Sequence, residues 1–202
     1  MSRLNVMTPS LALAETDFPA YGRRRRGEDN RARIVAAMLE LVKEGELIPN
    51  AEQVAARADV GLRTVFRHFS DMDGLYSEMS AVISVEVRAV SDSPFVAIDW
   101  RGRVLELVAR RAAVFEKISP YRRASDALRH RSNFLTSEGH RLGVALREIL
   151  DRVVGDAVDR PTLEALDLML SFETWSRLRR EQDLSPEAAQ GVLISAVRRL
   201  IA

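Results

Sequence analysis

The clearest pattern along the chain is a set of apolar positions that recur every three to four residues, as on one face of an amphipathic helix. In the first such run Ile34, Met38, Leu41 and Val42 share a face, and Gly45 follows as a helix-ending residue. Comparable runs continue to the C-terminus, and no segment shows the period of two that a strand requires. The sequence therefore predicts an all-α protein of about nine helices.

Residues 50–69 predict two short helices joined by a tight turn. Asn50 is suited to cap the first helix, whose apolar stripe is narrow and built from valine and alanine. The turn contains Asp59, a residue type that tolerates the left-handed backbone conformation. Val65 and Phe69 stand four residues apart and would seat the second helix against the first.

The second short helix leaves a mixed, basic set of side chains for the outside. Arginine, threonine and histidine suit guanine edges, thymine methyl groups and phosphates in the DNA major groove. The residues expected to contact DNA from this segment are Asn50, Gly61, Leu62, Arg63, Thr64, Phe66, Arg67 and His68. Taken alone, the same pattern also fits a surface hairpin in any helical protein.

The helices around this segment resemble the N-terminal part of the TetR family of bacterial transcriptional repressors. The resemblance covers roughly residues 30–79 and rests on Arg33-Ile34-Val35-Ala36-Ala37, Ala51-Glu52-Gln53-Val54-Ala55, Thr64-Val65-Phe66-Arg67-His68-Phe69 and Leu75-Tyr76. It implies a three-helix DNA-binding domain with a helix-turn-helix, followed by a helical domain that binds a small-molecule effector and forms a homodimer. The implied partner is double-stranded operator DNA.

Four positions depart from the family pattern. The usual turn glycine corresponds to Asp59, and the usual serine or threonine after the valine corresponds to Gly61; both are compatible with the expected backbone geometry. The usual tyrosine of the DNA-reading helix corresponds to Phe66, and the frequent lysine at the start of the fourth helix corresponds to Met72, which cannot bind phosphate. The changes at Phe66 and Met72 remove specific phosphate contacts but leave the expected docking mode intact.

The charge distribution favours the same end of the chain. The net charge of the whole chain is +1, whereas ten basic and seven acidic residues between Tyr21 and His68 leave +3 there. Residues 1–28 lack periodicity and are predicted to form a flexible basic arm. Its arginines are expected to bind phosphates or the minor groove, together with Arg31 in the first helix; they are Arg23, Arg24, Arg25 and Arg26. A solvated charge run is the alternative.

Residues 29–75 are assigned to the helix-turn-helix domain and residues 76–202 to the effector and dimerisation domain. In the latter we predict a helix over 100–118, a break at Ser119-Pro120, and a helix over 133–157. One apolar helix over 162–182 and a final helix complete the chain. These last two carry more apolar surface than one core-facing stripe requires, which indicates a four-helix contact between two copies. The interface residues are predicted to be Leu166, Leu170, Val192, Leu193, Ala196, Val197 and Leu200.

The family resemblance also implies an effector pocket among the middle helices. Its predicted lining is rich in aromatic residues and would favour an apolar or planar ligand; the candidates are Phe115, Tyr121, Phe134, Met169, Phe172 and Trp175. Each of them is equally suited to an ordinary place in the core.

Catalysis and metal binding find little support in the sequence. The chain has three histidines and no cysteine, and His130 and His140 lack the spacing that puts two ligands on one helical face. No phosphate-binding loop or nucleophile motif is present, and no cofactor is expected. We predict a cytoplasmic regulator that is not an enzyme and does not bind membranes. The alternative is an all-α ligand carrier or interaction protein that lacks specific DNA binding.

Overall fold

The computed structural model describes the backbone of residues 18–202, and the side chains of residues 27–202 except those of residues 86 and 89–91. Over this part of the chain the secondary structure is entirely helical, which confirms the predicted fold class. There are nine α-helices in the described part, and a short 3-10 turn over Arg129–Arg131 connects α5 to α6. In chain order they are α1 Phe18–Lys43, α2 Ala51–Arg57, α3 Leu62–His68, α4 Met72–Ser91, α5 Trp100–Leu128, α6 Asn133–Val154, α7 Arg160–Met169, α8 Phe172–Arg180 and α9 Pro186–Leu200.

Most helices begin at a short polar side chain that accepts a hydrogen bond from a backbone N–H of the first turn. In α2 the cap is reciprocal, because Asn50 Oδ1 accepts from the Gln53 N–H and the Gln53 side chain accepts from the Asn50 N–H, both at 2.8 Å. Six further helices have capping side chains of the same kind, namely Asp71, Asp99, Ser132, Asp159, Ser171 and Ser185. These caps fix where the helices start.

The helices enclose two clusters of buried side chains. The N-terminal core consists of Ile34, Val35, Ala37, Met38, Leu41, Val42, Val54, Ala55, Ala58, Val65, Phe69, Leu75, Tyr76, Met79, Ala124, Leu128 and Leu135. The C-terminal core consists of Val104, Leu107, Val108, Ala112, Val114, Phe115, Ile118, Leu150, Val153, Val154, Leu166, Leu170, Phe172, Trp175, Leu178, Ala189, Leu193, Val197 and Ile201. Helix α5 spans both clusters, so the boundary predicted at residue 75 does not separate the cores.

Helix α5 corrects one prediction. It continues through Pro120 instead of breaking at Ser119-Pro120. Proline removes the N–H that would bond the carbonyl four residues earlier, which usually ends or kinks a helix. Here Ile118 is buried in the C-terminal core and Ala124 in the N-terminal core, so burial on both sides of the proline holds the helix together.

The apolar segment predicted as one helix over 162–182 is two helices, α7 and α8, with a break at Leu170 and Ser171. Ser171 starts α8 because its hydroxyl accepts from the Thr174 N–H at 3.1 Å, a local bond that competes with continuation of the preceding helix. The hydrophobic period alone did not reveal this cap.

Helix α1 begins at Phe18, so residues 18–28 belong to a helix and not to the irregular arm predicted from the sequence. Pro19 is compatible with a first helical turn, where its missing N–H has no intrahelical role. Residues 1–17 lie outside the described residues. Among the helices that the structure describes, none contains an apolar run long enough to span a membrane.

Candidate nucleic-acid interface and ligand cavity

Helix α3 presents a basic and apolar outer face. Leu62, Arg63, Phe66 and Arg67 are exposed, and the half-buried Thr64 lies beside them. Within the described part of the chain, neither Arg63 nor Arg67 forms a hydrogen bond or ion pair, so both guanidinium groups keep their donors for another molecule. The structure thus brings together the outward residues that the sequence predicted for this helix.

The inner face of α3 is held by apolar packing. Val65 and Phe69 are 1% and 3% exposed and lie in the N-terminal core, together with Ala55 and Ala58 of the preceding helix and its turn. The two alanines are small, which allows the helices to approach closely. This packing fixes the direction in which the outer face points.

Arg33 of α1 holds the turn between α2 and α3, a role that the sequence did not reveal. Asp59 has φ of 51°, so the turn uses the left-handed conformation that its aspartate was predicted to tolerate. Arg33 of α1 donates to the backbone carbonyls of Ala58 at 2.5 Å and Asp59 at 3.1 Å. Its guanidinium also lies 3.4 Å from the Asp59 carboxylate. Arg33 therefore fastens the turn to α1.

Arg31 was predicted to contact DNA, and the structure gives it a different role. Its guanidinium donates to the His68 carbonyl and to Glu78, both at 2.8 Å, and stacks over the Phe69 ring with its carbon 4.4 Å from the centroid. These contacts join α1 to the end of α3 and to α4. Because these contacts occupy the side chain, we assign Arg31 to positioning α3.

His68 is also less suited to a phosphate than the sequence suggested. Its Nε2 is buried and has no hydrogen-bond partner among the described residues. Burial, and then the positive charges of Arg67 and Arg31, hold its pKa below the usual value for histidine. The ring is therefore neutral at physiological pH and carries no charge for a phosphate.

Two other predicted contacts lie at helix starts. Asn50 uses Oδ1 for the cap of α2, which leaves its amide N–H groups for an external partner. Gly61 precedes α3 without a side-chain cap, and a Cβ at this position would meet nothing within 4 Å. The side chains of Arg23, Arg24, Arg25 and Arg26 lie outside the described residues, although their backbone is part of α1.

A cavity of about 270 Å³ lies between α4, α5 and α6. Its wall is mostly apolar, with three serines and four charged side chains; it is lined by Met79, Ser80, Ile83, Ser84, Val87, Arg88, Ile118, Tyr121, Arg122, Ser125, Leu135, Glu138, Gly139, Arg141, Leu142 and Ala145. Met79 and Leu135 belong to the N-terminal core and Ile118 to the C-terminal core. The cavity therefore lies where the two cores meet.

Of the six residues predicted to line an effector pocket, Tyr121 borders this cavity and the others do not. Phe115 and Phe172 pack edge to face with ring centroids 5.5 Å apart, and Phe172 borders a separate recess. Trp175 is fully buried and donates from Nε1 to Glu116 at 2.9 Å. Met169 packs against the C-terminal core and Phe134 against the N-terminal core. Phe115, Phe172 and Trp175 serve packing because α5 and α8 turn them inward.

The predicted dimer interface also needs correction. Four of its residues lie inside the C-terminal core of a single copy and cannot meet a partner; they are Leu166, Leu170, Leu193 and Val197. Val192 is 46% and Leu200 is 36% exposed, and Ala196 is half-buried. Leu168, which the sequence analysis did not select, is 61% exposed on α7. The sequence pattern identified apolar helices but not which of their faces the chain itself covers.

No protein-family model matches the sequence, and no curated protein matches it. Two solved structures from Rhodococcus sp. RHA1 share its fold. One is a transcriptional regulator with a TM-score of 0.64 and 17% identity, covering 85% of this chain and 95% of that one. The other is a TetR transcriptional regulator with a TM-score of 0.54 and 18% identity, covering 86% of this chain and 95% of that one. At these identities the likeness establishes the fold, and it confirms the resemblance drawn from the sequence motifs at that level.

Proposed function

We propose that the chain is a sequence-specific DNA-binding transcriptional regulator, a homodimeric repressor that a small-molecule effector releases from a palindromic operator. The observation that carries this proposal is the outer face of α3, where Arg63 and Arg67 are exposed and unpaired in the described part of the chain. The fold shared with two transcriptional regulators supports it.

In this proposal α3 is the recognition helix and enters the major groove. Arg63 and Arg67 are four residues apart, so they project from the same side of the helix. Arginine reads guanine through paired hydrogen bonds, and the exposed ring of Phe66 can contact thymine methyl groups. Arg31 and Arg33 hold the helix in position, because Arg31 ties the end of α3 to α1 and Arg33 ties the preceding turn to α1.

A dimer would present two such helices to one operator. Two-fold symmetry sets the recognition helices about 34–36 Å apart, on successive major grooves. Helices α7 and α9 pack against each other in one copy. The surface proposed for self-association includes four of their residues, namely Leu168, Val192, Ala196 and Leu200. Exposed apolar residues on neighbouring helices are typical of such contacts.

Release by an effector would act through α4. The first turns of this helix contribute Leu75, Tyr76 and Met79 to the N-terminal core, and its next turns line the cavity. A ligand that prefers the non-binding arrangement by a few kcal/mol is sufficient to shift the population away from operator binding.

The second candidate is a helical ligand carrier without specific DNA binding. Phe66 and Met72 favour it, because both lack the polar group found at these places in the resembled family. Met72 packs against the N-terminal core, so it has exchanged a possible phosphate contact for a structural one. The exposed Arg63 and Arg67, with the half-buried Thr64 beside them, have no evident use in a carrier.

An electrophoretic mobility shift with the DNA upstream of the protein's own gene tests the first proposal against the second. We expect a discrete complex that resists nonspecific competitor DNA. Replacing Arg63 and Arg67 together with alanine should weaken it about 100-fold or more, since each arginine–guanine pair contributes about 1–3 kcal/mol. The control replaces the exposed residues Lys117 and Arg152 with alanine, which removes the same amount of positive charge at a distance from α3 in the sequence. Equal effects of the two double variants would show that α3 is not the reading surface.

The N-terminal arginines have a separate test. Removing residues 1–26 should lower operator affinity and flatten its dependence on salt, because binding then makes fewer phosphate contacts and releases fewer counterions from the DNA. A salt slope equal to that of the full chain would exclude the removed arginines from the interface.

A further inference from the structure

The cavity between α4, α5 and α6 combines an apolar body with an excess of positive charge. Three arginines and one glutamate border it, and Glu138 accepts two hydrogen bonds from Arg141, at 3.0 and 2.5 Å. This pair is internally neutral. Arg88 at the exposed edge and Arg122 at the inner wall therefore supply the remaining positive charge.

Arg122 has hydrogen-bond donors that the described part of the chain leaves unused, although its Cζ lies 5.3 Å from the centre of the Phe172 ring. Its side chain is 14% exposed, yet its Nε is buried without a hydrogen-bond partner and none of its N–H groups forms a hydrogen bond within the described residues. The nearest carboxylate oxygens are those of Asp126 at 3.8 Å and Glu173 at 3.7 Å, beyond hydrogen-bonding distance and on well-exposed side chains. A largely buried guanidinium is stable when its donors are satisfied, which an anion would do.

Gly139 of α6 leaves room for the guanidinium of Arg122 beside the cavity wall, which both residues line. A Cβ built at Gly139 of α6 would lie 3.3 Å from Nη1 of Arg122, so the glycine lets the guanidinium lie close to the helix. Apolar side chains such as Ile83, Ile118 and Leu142 make up most of the remaining wall. The site therefore has one charged corner and a hydrophobic interior.

We propose that this cavity binds a small amphiphilic monoanion, a carboxylate with an aliphatic or small apolar body, whose carboxylate pairs with Arg122. The volume of about 270 Å³ accommodates about nine non-hydrogen atoms at the ~30 Å³ of a water-sized group. This inference rests on the proposed function, because it names the chemical class of the effector. The carboxylate adds a charge to the apolar or planar ligand expected from the sequence.

Calorimetric titration of the full-length protein without DNA tests the ligand class directly. Sodium octanoate, 1-octanol and octylamine share a body of the same length and differ in charge. We expect octanoate to bind at least about tenfold more tightly than octanol, because its carboxylate gains charge-assisted hydrogen bonds, and octylamine to give no measurable heat of binding. Equal affinities for octanoate and octanol, or no binding of octanoate, would overturn the proposal.

Variants assign the charge to its residue. Arg122→Gln should weaken octanoate binding about tenfold or more and leave octanol binding unchanged, whereas Arg123→Gln, the neighbour that does not border the cavity, should change neither. Should the first variant unfold, Arg122→Lys keeps the charge and should bind octanoate with intermediate affinity. Ser84→Leu fills part of the cavity and should weaken both ligands alike. Unchanged octanoate binding by the folded Arg122 variants would overturn the assignment.

The mobility shift separates failure of this inference from failure of the proposed function. A competitor-resistant DNA complex without octanoate binding would refute the ligand class and retain the regulator. Octanoate binding by a protein that fails to shift operator DNA would support the ligand class and refute DNA regulation.

Discussion

The two cores of the molecule treat positive charge in opposite ways. Around the N-terminal core, Arg31, Arg33 and Arg57 stay at the rim and bond outward-facing carbonyls or carboxylates. The C-terminal core encloses Arg111, which is 5% exposed and donates to the carbonyls of Leu170 at 2.7 Å and Leu146 at 2.6 Å. Arginine hydrogen bonds thus surround the N-terminal core at its edge, whereas they lie inside the C-terminal core.

The two halves therefore differ in how arginine side chains hold their helices in position. Rim arginines fix the orientation of α3 without removing a charge from water. Burial lowers the pKa of Arg111 to about 10, so the group remains charged at neutral pH and depends on its two carbonyl partners. A directional link of this kind specifies one arrangement of α5, α6 and the α7–α8 break. The stability of the C-terminal half therefore depends on Arg111 and on the two carbonyl groups that accept its hydrogen bonds.

The largest effect is expected for Trp175, the biggest fully buried side chain of the C-terminal core. Trp175→Ala should lower the free energy of unfolding by about 3–5 kcal/mol, because it opens a large void and removes the bond to Glu116. Urea denaturation followed by circular dichroism measures this change. Trp100→Ala, at the partly exposed start of α5, is the control and should cost clearly less.

Arg111→Met tests whether the buried link stabilises its core. The Leu170 carbonyl lies between two helices and accepts from Arg111, so the variant leaves it without a donor while relieving the burial of a charge. We expect a net loss of about 2 kcal/mol by the same denaturation assay. Lys117→Met, on the exposed side of the same helix, serves as the control. A variant as stable as the parent would mean that packing alone specifies this core.

Arg31→Met tests the rim of the other core. Its ion pair with Glu78 is about half exposed, so the loss of stability should be about 1 kcal/mol. Operator affinity should fall by more than this modest destabilisation suggests, because α3 loses its link to α1. Titration of operator DNA measures the change in affinity, and urea denaturation measures the change in stability with which it is compared. Unaltered operator binding would show that apolar packing orients α3 without the rim.

Asp59→Gly should have the smallest effect and the opposite sign. Glycine adopts the left-handed conformation of this turn more easily than aspartate, and the contact with Arg33 that would be lost is long and exposed. We expect a gain of about 0.5 kcal/mol in unfolding free energy. A loss would indicate that the Asp59 carboxylate contributes more to the turn than its distance from Arg33 suggests.

The N-terminal half was predictable from sequence because its signals are local. Asn50 caps α2, Asp59 takes the left-handed turn, and Val65 and Phe69 seat α3, each as its neighbours in the sequence suggested. Arg31 was misassigned because its partners, His68 and Glu78, are distant in sequence.

The C-terminal half was less predictable because tertiary packing decides it. Burial on both sides of Pro120 overrides a residue that usually ends helices, and the Ser171 cap interrupts a continuous apolar run. One available signal was overlooked. Arg111 and Arg122 stand four residues before Phe115 and four after Ile118, on the apolar stripe of α5, where a charged residue indicates a buried link or a ligand site.

Three side chains from beyond α4 complete the N-terminal core, namely Ala124, Leu128 and Leu135. A fragment ending at residue 75 would leave the surface they cover open to water. Chimeric proteins that exchange the first 75 residues between members of this fold must therefore supply matching residues at these three positions. The interchangeable unit is a discontinuous piece of the chain, consisting of the first helices together with the junction of α5 and α6.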